Sequence, residues 1–80
     1  MKIPRDISGQ LLVKYLKILG YEITRQTGSH MRLTTFQNGQ HHITIPNHDS
    51  LKLGTLSGIL SEVARHFDKT KDEIIKEIFN

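Results

Sequence analysis

Cysteine is absent from the 80 residues, and so is tryptophan. Without thiols there is no disulfide framework, no thiolate zinc site and no cysteine nucleophile. Two tyrosines and three phenylalanines are the whole aromatic complement, and proline occurs only as Pro4 and Pro46. No apolar run has the length of a transmembrane helix. The opening Met1-Lys2-Ile3-Pro4-Arg5-Asp6 lacks the apolar stretch of a signal peptide, so a cytosolic protein with no membrane partner is expected. Also missing are a GxSxG elbow, a phosphate loop, an HExxH pair and two carboxylates sharing an apolar setting. With 36% hydrophobic residues in 80, one small core is all the chain can build. It is read as a single domain spanning 1–80, with a net stability of about 3–5 kcal/mol.

What is present is cationic and uneven. The formal net charge is +3, but residues 1–40 carry six Lys/Arg against two Asp/Glu, while residues 41–80 carry five against six. A surface for a polyanion therefore belongs to the first half, together with whichever of the five histidines lie beside it. A solvated face with a slight basic excess would read the same way on charge alone.

Periodicity gives the elements. Ser8 is an N-cap, and Leu11, Leu12, Tyr15, Leu16 and Leu19 recur at helical spacing until Gly20 stops the helix. The period then changes to two. Tyr21, Ile23 and Arg25 fall on one side of a first strand, with Glu22, Thr24 and Gln26 on the other. Thr27-Gly28-Ser29 is a turn in which Gly28 is free to take a positive φ. A second strand, from His30 to Thr35, points Met31 and Leu33 inward and His30, Arg32 and Thr34 outward. Asn38-Gly39 marks a hairpin. The third strand runs from His41 to Ile45, with Ile43 and Ile45 inward and His42 and Thr44 outward, and Pro46 ends it. A second helix is expected from Gly54 or Thr55 to Phe67, with Gly54 and Gly58 allowing close helix packing. Thr70 and Glu73 form a capping box for a last helix whose apolar face is Ile74, Ile75, Ile78 and Phe79. The fold class is α+β. A three-stranded antiparallel sheet carries helices on one face, in the order α-β-β-β-α-α, and leaves the other face to solvent.

That open face would display His30, Arg32, Thr34, His42 and Thr44, with no aromatic platform for stacked bases. His30 has the most suggestive setting. It opens a strand directly after a Gly-Ser turn, where the Gly28 and Ser29 amides and the Ser29 hydroxyl can hold an anion. Imidazoles as a class titrate near neutrality, and one placed beside phosphate donors suits general acid–base cleavage of RNA. An ordinary exposed histidine after a turn is the bland alternative. Metal binding is disfavoured. His41 and His42 are strand neighbours and point to opposite faces, and no spacing completes a ligand set around His48 and Asp49. No cofactor is expected.

Three short runs add a resemblance. Arg25-Gln26-Thr27-Gly28-Ser29-His30, Thr44-Ile45-Pro46-Asn47-His48 and Leu53-Gly54-Thr55-Leu56 with Ile59-Leu60 resemble, in order and spacing, motifs of the HicA (YcfA-like) toxins. The likeness covers roughly Ser8 to Phe67. It implies a double-stranded-RNA-binding-like fold. It also implies the toxin of a type II toxin–antitoxin system, acting as an mRNA interferase with His30 as the catalytic histidine. The partner implied is a HicB-like antitoxin, the toxin alone being monomeric and hetero-oligomeric with that antitoxin. The sequence departs from the family's pattern in lacking a basic residue across Thr34–Gln40 and in adding a helix after Asp68.

The expected chemistry is metal-independent cleavage of mRNA by internal transesterification, which blocks translation. His30 acts on the ribose 2′-hydroxyl, Gly28, Ser29, Arg32 and His42 bind RNA, and His42 on the neighbouring strand is also the geometric candidate for the acid. Arg25 is a lesser phosphate contact if it points to the helix side, as simple alternation has it, and its register is open because strand ends beside a turn often twist. His48 matches the second motif, although a histidine in a loop after proline commonly caps or packs. A non-catalytic RNA-binding module with His30 as a phosphate contact is the alternative, and a protein-interaction domain is a third reading.

Overall fold

The computed structural model describes residues 3–79. Helix α1 (Gly9–Leu16) passes into a 3₁₀ turn, Lys17–Leu19. Strands β1 (Glu22–Thr27), β2 (His30–Thr35) and β3 (His41–Pro46) follow, then helices α2 (Leu53–His66) and α3 (Lys71–Phe79). The strands pair antiparallel in the order β1-β2-β3. This is the α-β-β-β-α-α arrangement expected of a double-stranded-RNA-binding-like α+β fold.

The Ser8 hydroxyl caps α1 by accepting from the Leu11 amide at 3.0 Å. Regular α bonding ends at Leu16, before the expected Leu19. Gly20, left-handed at φ 81°, brings its amide onto the Lys17 carbonyl and tightens the last turn. The buried stripe is Gly9, Leu12, Val13, Leu16 and Leu19. Leu11, expected inside, is 42% exposed. The reason lies at Gly9, where a Cβ would stand 2.1 Å from the Pro46 carbonyl oxygen, so only glycine lets α1 seat here. With Gly9 on the packed side, Leu11 falls about 200° around the helix and faces out.

Met31, Leu33, Ile43 and Ile45 line the inner face of the sheet and meet Leu12, Leu16, Leu56, Leu60 and Val63 from the helices. The last helix adds Ile74, Ile75 and Ile78, each at most 2% exposed. Its capping box is reciprocal, Thr70 N donating to Glu73 Oε1 at 2.9 Å and Glu73 N to Thr70 Oγ1 at 3.1 Å. That bond to the backbone lowers the Glu73 carboxyl below its ordinary value. Among the described residues, no helix is long and apolar enough to cross a membrane.

Two expectations fail in instructive ways. Strand β1 is exposed along its whole length, including Ile23 at 44%, because it is an edge strand lying beyond the helices. Gly54 and Gly58 do not serve close packing, since a Cβ at either would meet nothing within 4 Å. They lie on the outer side of α2, which begins one residue earlier than expected, at Leu53, and ends at His66.

The end of the sheet remote from α1's N-terminus is tied down by polar contacts. The buried Thr35 hydroxyl donates to the Leu19 carbonyl at 2.7 Å and accepts from the Gln37 amide at 3.1 Å. The β2–β3 loop holds Asn38 and Gly39 at positive φ, as their hairpin signal demands, but spans the five residues from Phe36 to Gln40. Asn38 Nδ2 donates to the His66 carbonyl, and His66 Nε2 donates to the Gln37 carbonyl, both at 2.9 Å. The His66 ring stacks on His41 at 4.4 Å, and His41 Nδ1 meets the Tyr21 hydroxyl at 2.8 Å. Burial, helped by Glu62, raises the Tyr21 pKa and keeps the phenol protonated. Burial also lowers the His41 pKa from 6.5, with the neighbouring His66, His42 and Arg65 adding to the effect and Glu62 opposing it.

Two tests follow from this packing. Gly58→Ala should stabilise the protein by about 0.5–1 kcal/mol, since an exposed helical glycine costs that much without a packing reason. Thermal unfolding should show a rise of roughly 2–8 °C for a domain of this size. For His41, the unfolded chain binds the proton more readily than the folded one. Its contribution is therefore complete above 6.5 and is lost as the pH falls below that value. Urea midpoints measured downward from neutrality should decline, and His41→Gln should flatten the decline.

Candidate nucleic-acid interface

Strand register decides which side chains share the open face, because cross-strand partners point the same way. In β2–β3 the pairs are His30↔Pro46, Arg32↔Thr44 and Thr34↔His42. Alternation with the buried Met31 and Leu33 puts all six on the side away from the helices. The face is therefore the expected one, and among the described residues none of its β2–β3 pairs contains Phe or Tyr.

Strand β1 alters its charge. Thr27↔His30, Gln26↔Met31 and Arg25↔Arg32 follow a tight two-residue turn in which Gly28 has φ 54°. Beyond them the register shifts, and Ile23 pairs with Leu33. The extra residue is Thr24, a β-bulge. Arg25, assigned by alternation to the helix side, is instead on the open face directly opposite Arg32, and Gln26 takes the inner side. Among the described residues neither arginine has a carboxylate partner. Like charges directly opposite on adjacent strands are destabilising on their own. Glu22, opposite Thr34, is the acid on this face of the sheet.

The first two sequence motifs meet at one corner. The Asn47 amide donates to the Ser29 carbonyl at 2.6 Å, which fastens the end of β3 to the turn before His30. Gln10 Nε2 reaches Asn47 Oδ1 at 3.3 Å, and the Gly9 amide donates to the His48 carbonyl at 3.0 Å. The backbone of His48 thus helps hold α1, while its side chain is exposed. His30 is exposed, and its imidazole makes no hydrogen bond or ring contact among the described residues. Nothing lies within 4 Å of the position a Gly28 Cβ would take, so the turn is open to a ligand.

His42 stands elsewhere. It pairs with Thr34, four residues along β2 from His30, a separation of about 13 Å at the rise of a strand. The two imidazoles cannot serve one phosphodiester as base and acid. His42 belongs instead to a chain of hydrogen bonds. Its Nδ1 meets Thr34 Oγ1 at 2.7 Å, Thr34 Oγ1 meets Thr24 Oγ1 at 2.8 Å, and Gln40 Nε2 lies 3.4 Å from His42 Nε2. The third motif opens α2 at a distance from these contacts, with Leu53, Gly54 and Thr55 exposed.

No group of three or more His, Asp or Glu side chains able to hold a metal ion occurs among the described residues. His41 turns to Tyr21 and His42 to Thr34, as their adjacency in a strand requires.

Comparison with curated proteins gives no match, nor does comparison with solved structures. The sequence model of one family, described as the HicA toxin of bacterial toxin–antitoxin systems, matches residues 9–64. That span runs from the glycine that seats α1 to the end of the buried stripe of α2 and takes in all three motifs and the whole sheet, so the chain belongs to the HicA toxin family, whose toxin–antitoxin setting implies an antitoxin partner.

Proposed function

We propose that this toxin is a metal-independent endoribonuclease, an mRNA interferase, that binds mRNA across the open sheet face and cleaves it beside His30. The observation that carries the reading is the Arg25–Arg32 pair. Two uncompensated guanidiniums face each other about two residues along the sheet from His30, a costly arrangement that a phosphate would relieve. Ser29 and the turn at Gly28 add donors on the other side of the imidazole. Residues 1–80 act as one HicA-like domain. An mRNA substrate places its action in the cytoplasm, and a HicB-like antitoxin would silence it by covering this face in a hetero-oligomer, the free toxin being monomeric.

In this mechanism His30 takes the proton of a ribose 2′-hydroxyl. The 2′-oxygen bonds to the adjacent phosphorus, and the bond from phosphorus to the 5′-oxygen breaks. The leaving oxygen takes a proton from water. Arg25 and Arg32 hold the non-bridging oxygens as charge grows on them. The products are a 2′,3′-cyclic phosphate and a 5′-hydroxyl, and DNA is spared because it lacks the nucleophile.

A second reading, a non-catalytic RNA-binding module of the same fold, is favoured by one observation. Among the described residues His30 has no hydrogen-bond partner that would fix its tautomer. One experiment separates the two, namely incubation of a defined mRNA with purified protein in excess EDTA, followed by end-group analysis. Cyclic-phosphate ends from the wild type, with a fall of about 10²–10⁴ in rate for His30→Ala, are expected. RNA binding without cutting by either protein would leave the binding module. Equal cutting by both would remove His30 from the mechanism.

A further inference from the structure

One direction of the hydrogen-bond chain through His42 satisfies every contact in it at once. At one end, Thr24 Oγ1 donates to the Arg32 carbonyl at 3.4 Å, which can only accept. Its lone pairs are then left to accept from Thr34 Oγ1 at 2.8 Å. A hydroxyl has one proton, so in this direction Thr34 Oγ1 accepts from His42 Nδ1 at 2.7 Å. At the other end, the amide nitrogen of Gln40 can only donate, so His42 Nε2, 3.4 Å away, accepts. Both ends are satisfied by the same tautomer, with the proton on Nδ1 and a lone pair on Nε2.

From this geometry we infer that His42 is a hydrogen-bond acceptor for the RNA strand, taking a donor on ribose or base at a nucleotide remote from the cleaved bond. The inference rests on the RNA-binding reading of the open face and refines it. The anchoring is strong where it matters: Thr34 is 4% exposed and Thr24 is set on the open face by the bulge, whereas His42 and Gln40 are exposed. The Gln40 contact is long, and its amide can return to water when a better donor arrives. Position argues against a role in bond cleavage, since about 13 Å of strand separates His42 from His30. An extended strand that passes Arg25 and Arg32 spans that distance in a few nucleotides. The chemistry argues against a phosphate contact, because the Nε2 atom offers a lone pair and phosphate oxygens offer only acceptors. A ribose 2′-hydroxyl or a base N–H is the matching group.

Nitrogen-15 NMR of the imidazoles in the full chain reads the tautomer without any RNA. The neutral His42 ring should carry its proton on Nδ1, and Thr34→Val should abolish that preference. A proton on Nε2 in the wild type would overturn the inference. Binding of a labelled single-stranded oligoribonucleotide is then measured by anisotropy in the His30→Ala protein, with and without His42→Ala. Loss of one hydrogen bond should weaken binding about three- to tenfold. The slope of affinity against salt should not change. A slope smaller by about one would instead mark a phosphate contact and refute the acceptor role, as would equal affinity with and without His42. His42→Gln, which keeps an acceptor, should recover part of the loss. The same comparison on DNA of identical sequence identifies the donor. A penalty that vanishes assigns the 2′-hydroxyl, and one that persists assigns a base N–H. If the wild type binds RNA but does not cut it, the cleavage reading falls and His42 keeps its role. Failure to bind RNA at all removes both.

Discussion

A sheet of three strands covered on one side imposes most of what this protein is. Leu12, Leu16, Leu56, Leu60 and Val63 press on Met31, Leu33, Ile43 and Ile45, in one core that Leu19, Tyr21, Ile74, Ile75 and Ile78 extend. Alternation along each strand then forces every second residue to the far side, where no element covers it. The open face therefore comes from the same period of two that builds the core. Its polar composition lets it stay open to solvent, and its rigidity comes from the buried side.

Within that frame, the placement of charge depends on one extra residue. Had β1 continued in simple alternation, Arg25 would have pointed toward the helices at the margin of the core. The bulge at Thr24 turns it to face Arg32, and the same residue donates the hydrogen bond that ends the chain from His42. One local irregularity thus serves both ends of the face. It assembles a cationic pair near His30 and orients an imidazole four residues away. Bulges that re-aim side chains beside functional sites are a recurring use of the device.

The two ends of the sheet also differ in how they are held. At the His30 end, backbone contacts from Asn47 and His48 fasten the turn and α1 while leaving side chains free for a ligand. At the far end, Thr35, Asn38, His66, His41 and Tyr21 all engage their polar groups within the protein, Thr35 with Leu19 and Gln37 and the others with His66, Gln37 and each other. The first end leaves its His30 and His48 side chains exposed, and the second carries the His41 contribution to the pH dependence of stability.

The sequence by itself determined the element order, the inner faces of β2 and β3, the caps at Ser8 and Thr70, and the family, because these rest on short-range periodicity and local side-chain chemistry. It also held an unread sign of the bulge. Counting back from the tight Gly28–Ser29 turn puts Arg25 opposite Arg32 and outward, while Tyr21 and Ile23 demand the opposite parity, and only an inserted residue satisfies both. Tertiary structure alone decided the rest. The exposure of β1 depends on how far the helices reach across the sheet. Leu11 faces out because Gly9 must seat against Pro46. The separation of His42 from His30 follows from antiparallel pairing across a five-residue loop, and the tautomer of His42 follows from hydroxyls brought together from two other strands. Those are long-range matters of register, which alternation within a single strand does not encode.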